Sequence, residues 1–185
     1  VIADIAINRA AIQKPWELTQ FLELLVESGP QVMVEIGSHA GGTLWAWRQV
    51  VPTVIGIDLR PNFYDPSVIV GDSHDVDTVA RLTKQLGGCA IDCLFIDGDH
   101  SYNGVRQDYE MYSPLVRQGG LIAFHDIAPI LPGQTNVDDI QTKQFWDEIK
   151  DETAIEIIDT QDHLRSHIAG YGIGVLHHGP HTDNT

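Results

Sequence analysis

The segment QVMVEIGSHAGGT, residues 31–43, runs from an apolar stretch through an acid into a cluster of glycines. QVMVEIG is short and apolar, the length of a strand rather than a helix. GGTLWAWRQVV, which follows, reads as a helix. Strand, glycine turn and helix make the opening unit of an α/β sheet, and the alternation continues along the chain. TVIGIDL (53–59), SVIVGDS (67–73), IDCLFID (91–97) and LIAFHD (121–126) read as four more strands. AIEIID (154–159) and YGIGVLHH (171–178) read as two last strands, an antiparallel pair at the edge.

Helices are expected between them. PWELTQFLELLVESG (15–29) places Leu18, Phe21, Leu22, Leu25 and Val26 at helical spacing. DVDTVARLTKQLGG (75–88) ends in a Gly pair, a helix-stopping signal. SYNGVRQDYEMYSPLVRQGG (101–120) sets Val105, Tyr109, Tyr112 and Val116 on one stripe and is expected to stop at Gly119-Gly120. DIQTKQFWDEIKDE (139–152) is a final helix. Of Trp45 and Trp47, one is expected in the core and one half-exposed. The expected architecture is a Rossmann-like, doubly wound α/β fold. Its seven-stranded sheet is mostly parallel, with helices on both faces and an antiparallel edge.

With 185 residues and 43% hydrophobic content, the chain fits one domain, residues 1–185. Within it, a helical cap is expected over about 1–30 and a substrate or lid loop over about 127–145, where Pro129, Pro132 and Gly133 cluster. No apolar run is long enough for a membrane span, and the start lacks the charged head and cleavage site of a signal peptide. Residue 1 is not Met. Two cysteines, Cys89 and Cys93, build no disulfide framework and are expected as buried thiols in a reducing cytoplasm. A net charge of −15 argues against nucleic acid and anionic membranes as partners, and acidity alone names no partner.

In open α/β sheets, ligands bind beyond the carboxyl ends of the strands. The first strand ends G-x-x-x-G-G, with Glu35 just before Gly37, where a dinucleotide fingerprint would read G-x-G-x-x-G. A pyrophosphate disfavours a neighbouring carboxylate, whereas a ligand with a free amine tolerates one. Asp58 ends the second strand, 21 residues beyond Gly37, the distance at which an acid accepts from ribose hydroxyls. Asp72, Ser73 and His74 end the third, where a base would lie, although Asp75 or Ser73 would equally serve as a helix cap. Together these ends favour an adenosine-bearing ligand without a pyrophosphate.

VEIGSHAGGT, VIGIDL, GDS, LFIDGDHSYNGVRQDY and GGLIAFHD, in this order over residues 31–126, resemble class I S-adenosylmethionine (SAM) dependent methyltransferases. Within that class the chain is similar to small metal-dependent O-methyltransferases of the catechol, caffeoyl-CoA and antibiotic-tailoring types. The resemblance implies SAM as cofactor. Glu35, Gly37, Ser38, His39, Gly41 and Thr43 would surround its methionine part. Asp58 and Leu59 would hold the ribose; Ser73, with Asp72 or His74, would border the adenine; Asp97 would stand by the sulfonium.

Asp97 ends strand four, and His125-Asp126 end strand five. Neighbouring strands lie about 4.8 Å apart, so the three side chains can converge on one divalent ion, Mg²⁺, Mn²⁺ or another. Where related enzymes more often carry an acid, this chain has His125, which favours a borderline ion such as Mn²⁺, Fe²⁺ or Zn²⁺. A metal-free variant with His125 orienting the substrate is the alternative. Methyl transfer to a hydroxyl needs proximity and loss of the acceptor proton, by a metal or a base. His100 stands where catechol-type enzymes carry a basic residue, and Asp99 where some sugar-modifying relatives carry their base. His100 is the expected base and Asp99 the second choice.

The remaining histidines carry less. His163 and His167 are expected at the rim and mainly at the surface; His177, His178 and His181 are expected at the surface, in or near a frayed tail. The expected function is O-methylation of a small hydroxylated molecule such as a sugar, phenol or polyketide. A nicotinamide-dependent oxidoreductase and a non-catalytic SAM-binding protein are the alternatives. A homodimer through the N-terminal helix is conceivable by analogy.

Overall fold

The structure, a computed structural model, describes residues 2–62, 65, 67–136, 139–167 and 169–179. His181 and the tail therefore lie outside the described residues. Seven strands form one sheet: β1 (Val32–Ile36), β2 (Thr53–Asp58), β3 (Ile69–Val70), β4 (Ile91–Ile96), β5 (Val116–His125), β6 (Ile155–Ile157) and β7 (Ile173–His177). Their order is β3-β2-β1-β4-β5-β7-β6. The first five strands are parallel to one another, and β7 runs antiparallel to both β5 and β6. This is the expected doubly wound sheet with its antiparallel edge.

Among the described residues there are seven α-helices: α1 (Ile2–Asn8), α2 (Pro15–Ser28), α3 (Gly42–Trp47), α4 (Val76–Leu86), α5 (Tyr102–Tyr112), α6 (Thr142–Ile149) and α7 (Thr160–His163). Successive strand residues point to opposite faces. Met33, Val54, Cys93, Phe95 and Ala123 therefore pack with Phe21, Leu25 and Trp47 of α2 and α3. Val34, Ile55, Leu94, Ile96 and Phe124 pack with Leu82 of α4, Tyr112 of α5 and Trp146 of α6. Burying apolar area on both faces, at roughly 25 cal/mol per Å², is the main term holding the layers together. Pro15 opens α2 at a position that needs no N–H donor, and Gly29 closes it in the left-handed conformation. Asp75 caps α4, its side chain accepting from Asp77 N.

Several expectations are corrected. The helix expected over 101–120 ends at Tyr112, because Pro114 follows in a 3-10 turn, Ser113–Leu115. Val116 is thus not on the α5 stripe; it opens β5 and pairs with Ile91. Gly119 and Gly120 stop no helix; they lie inside β5, bonded to His178 of the edge. Val26 is 62% exposed, so the buried stripe of α2 is Leu18, Phe21, Leu22 and Leu25. Cys93 is buried as expected, but Cys89 is exposed beyond the Gly87 cap. His163 is buried rather than on the surface, with Nε2 2.8 Å from the carbonyl of Pro129. Trp47 is buried and Trp45 half-buried, as expected. No helix among the described residues is long and apolar enough to cross a membrane.

Strand order reverses between β1 and β4, since β2 and β3 lie to one side and β5 to the other. Such a reversal leaves a crevice above the carboxyl ends. Register aligns those ends: Ile36 stands beside both Ile57 and Ile96, and Ile96 beside Phe124. Gly37, Asp58, Asp97 and His125-Asp126 therefore emerge along one rim.

Candidate active site

A cavity of about 580 Å³ opens above that rim. It is lined by Gly37, Ser38, His39, Thr43, Asp58 and Leu59 from the first two strand ends, and by Asp72, Ser73 and His74 beyond β3. Asp97, Asp99, His100, His125 and Asp126 line it from β4 and β5. Two residues of the expected set, Glu35 and Gly41, are not among its lining. Gly41 instead precedes α3 as its N-cap, at φ +86°.

Gly37 turns the chain out of β1 at φ +84°, and a Cβ there would stand 1.9 Å from the carbonyl oxygen of Asp97. Only glycine lets β1 and β4 approach so closely at this turn. Asp58 accepts from His39 N at 2.7 Å and Arg60 N at 2.9 Å, which fixes its carboxylate at the rim. Ser38 is buried, and its Oγ has no partner among the described residues. Asp72 accepts from His74 N, and the His74 ring leans on Asp108 of α5, with Nε2 3.3 Å from Oδ1. Burial raises the Asp108 carboxyl to about 6, against the opposing pull of Ser73 and His74.

Glu35 lies beneath the cavity, fully buried, with Oε1 accepting from the indole N–H of Trp47 at 2.9 Å. Burial pushes its carboxyl from an ordinary 4.5 up to about 8, outweighing the hydrogen bonds from Thr43 and Trp47. An unfolded chain gives up this proton near pH 4.5 and the folded one only near 8. Stability contributed by the neutral group is thus full below about pH 4.5, falls as pH rises, and levels off above 8. Glu35→Gln keeps the acceptor for Trp47 and cannot ionise. The difference in unfolding free energy between variant and wild type is expected to move in the variant's favour from about pH 5 to about pH 8.5, by roughly 2 kcal/mol or more. A pH-independent difference would contradict the neutral Glu35.

At the other end, four ionisable side chains converge. Nδ1 of His125 lies 3.1 Å from Asp97 Oδ1 and 3.2 Å from Asp126 Oδ1. His100 Nε2 lies 3.5 Å from Asp97 Oδ1 and 3.6 Å from Asp126 Oδ2. Burial opposes the charged form of His125, but the carboxylates of Asp126 and Asp97 hold it protonated well above the ordinary range. The hydrogen bond to Asp97 raises His100 as well, against partial burial. Burial would raise Asp126, yet His125, His100 and the Tyr171 N–H outweigh it and hold it ionised. The ligand atoms of Asp97, His100 and Asp126 lie within 4.8 Å of one another. Two carboxylates and an imidazole are a donor set that suits a borderline or hard divalent ion. Asp99 is more exposed, and its Oδ1 accepts from Ser101 N at the start of α5.

Some contacts here carry no signal in the sequence. Residues 10–13 cross to the cavity from the N-terminal segment, and Gln13 Nε2 donates to Asp97 Oδ2 at 2.7 Å. Tyr171, from the loop before β7, lines the cavity and donates its N–H to Asp126.

A family model described as a methyltransferase domain matches residues 34–127. The chain belongs to this methyltransferase family. The match runs from within β1 past the end of β5 and sets aside the oxidoreductase reading. A curated protein of Acanthamoeba polyphaga mimivirus, described as uncharacterized, is 34% identical over 112 residues, 50% of each chain. The chain therefore spans about half the length of that relative.

Among solved structures, the cofactor-bound Rv0187 from MTB has a TM-score of 0.62 at 19% identity, covering 96% of this chain and 87% of that one. The O-methyltransferase from Bacillus cereus, solved with SAH, has a TM-score of 0.55 at 16% identity, covering 95% and 90%. MycE from the mycinamycin pathway, solved with Mg, SAH and mycinamycin VI, has a TM-score of 0.56 at 21% identity. Here 68% of this chain but only 39% of MycE is covered. At these identities the likeness is one of fold.

Proposed function

We propose that this methyltransferase transfers a methyl group from SAM to a hydroxyl oxygen of a small molecule. The observation that carries the reading is the single cavity joining Gly37, Asp58 and Asp72–His74 at one end to Asp97, His100 and Asp126 at the other. The glycine turn leaves room for the methionine part, and Asp58 faces the place a ribose would occupy. Ser38 Oγ, buried beside Gly37 and without a partner among the described residues, can accept from or donate to a polar ligand. Glu35 supports this turn from below through Trp47. SAM itself brings the methyl on a sulfonium, a built-in leaving group.

The protein's share is then to align the acceptor and relieve it of a proton. His100 is the group proposed to take that proton, with Asp99 as the alternative. Asp97 and Asp126 fix the His100 ring between them. Their carboxylates, with His100 or His125, also fit a divalent ion, and an ion there would supply Lewis acidity that lowers the hydroxyl's pKa. His125, lying between the same carboxylates, would orient either the ion or the substrate. With its N–H pointed at Asp97 and Asp126, it also limits their mutual repulsion. The acceptor is proposed to be a sugar, phenol or polyketide-type hydroxyl. The mycinamycin VI bound by MycE is the supporting parallel.

The reading is tested by incubating the protein with SAM and a panel of glycosides, catechols and polyketides, following S-adenosylhomocysteine and methylated product by mass spectrometry. Turnover with at least one hydroxylated class is expected, and it should fall with EDTA and return with Mn²⁺ or Mg²⁺. Turnover indifferent to EDTA would retire the metal and leave His100 as base. SAM binding without turnover on any class would favour the non-catalytic alternative.

A further inference from the structure

The first turn of α2 and the residues just before it reach both carboxylates of the site. Gln13 is 4% exposed; its Nε2 holds Asp97 Oδ2, and its Oε1 is buried without a partner among the described residues. Asp97 Oδ1 is thereby left facing His100 and His125. One helical turn on, Glu17 is fully buried, and its two oxygens accept from Asp159 N at 2.9 Å and Gly172 N at 3.0 Å. The neighbouring N–H, that of Tyr171, is the one that donates to Asp126 Oδ1.

We propose that Gln13 and Glu17 are positioning residues that set the two carboxylates of the transfer site, Gln13 acting directly on Asp97 and Glu17 acting on Asp126 through the 171–172 backbone. The chemistry at each position fits the task. An amide at position 13 donates to a carboxylate without adding charge, where an acid would repel Asp97 and a lysine would neutralise it. A buried carboxylate at position 17 is tolerable only when hydrogen-bonded, and two backbone N–H groups of the β6–β7 connection supply those bonds. Held this way, the connection presents the Tyr171 N–H at a fixed place. Gln13 lines the cavity, and its Oε1 has no partner among the described residues. It accepts a hydrogen bond from an N–H or O–H of the bound ligand.

The contact with a ligand rests on the methyl-transfer reading; the orientation of the carboxylates does not. Crystals of ligand-free Gln13→Leu are expected to show the Asp97 carboxylate turned from its present direction, and calorimetry to show SAM binding weaker on the order of tenfold. Gln13→Glu removes the donor and adds a like charge. Its SAM binding is expected to fall on the order of a hundredfold and to recover on acidification, a recovery absent from the wild type. A packing role alone would lower the melting temperature without moving that pH profile. Glu17→Gln is expected to lower kcat more than it raises KM for SAM; should it not fold, the Gln13 variants decide. Asp97 unmoved in Gln13→Leu, together with a wild-type pH profile in Gln13→Glu, would overturn the proposal. If wild-type protein binds no SAM, the cofactor reading fails instead, and the position of Asp97 in the ligand-free crystals still decides this one.

Discussion

Gly37→Ala is expected to destabilise the protein by about 4 kcal/mol, the upper end of single-residue effects. Two costs add. The residue sits at φ +84°, a conformation that alone costs a side-chain-bearing residue about 1–2 kcal/mol. Its Cβ would also lie 1.9 Å from the Asp97 carbonyl oxygen and 2.8 Å from Cα of Gly98, both backbone atoms of a central strand end. Neither can move without parting β1 from β4. For a chain of this size the melting temperature should fall by roughly 10 °C. Gly87→Ala separates the two terms, since φ there is +61° with nothing within 4 Å of the added Cβ. It should lose only about 1 kcal/mol. Equal losses in the two variants would mean that the close approach at Gly37 is not a constraint.

Asp126→Asn is expected to lower turnover by roughly a hundred- to a thousandfold while changing SAM affinity only a few-fold. Asparagine is the informative replacement because Asp126 sits at φ +64°, a conformation that Asn adopts at less cost than most residues with a side chain. The amide keeps an oxygen for the Tyr171 N–H, so the fold around it should survive. What goes is the negative charge that faces His125 and His100. With it goes either half of an ion's carboxylate pair or the partner that holds His100 in place. Steady-state rates and calorimetry on the same preparation check both halves. Unchanged turnover would remove Asp126 from the chemistry.

The central strands were legible because parallel strands covered on both faces read as short continuous apolar runs, and β1, β2 and β4 all begin or end within a residue or two of those runs. Their carboxyl ends followed directly, so the rim residues could be named from order alone. The junction of α5 and β5 misled because two stop signals compete there. Pro114 acts first by removing a donor, and the later glycines are free to serve a strand. His163 looked like a surface residue because it sits in the mostly polar run QDHLRSH, yet it is buried, with its ring against the Pro129 carbonyl 34 residues away. The clasp around the carboxylates was illegible for the same reason. Gln13 meets Asp97 across 84 positions and Glu17 meets Gly172 across 155, and no local pattern encodes such a contact.

Calorimetric titration of SAM into the intact protein tests the central claim most directly. The account predicts saturable one-site binding that Asp58→Ala weakens by about tenfold or more, through loss of charge-assisted hydrogen bonds at the rim. Absence of binding at millimolar SAM by folded wild-type protein would contradict it.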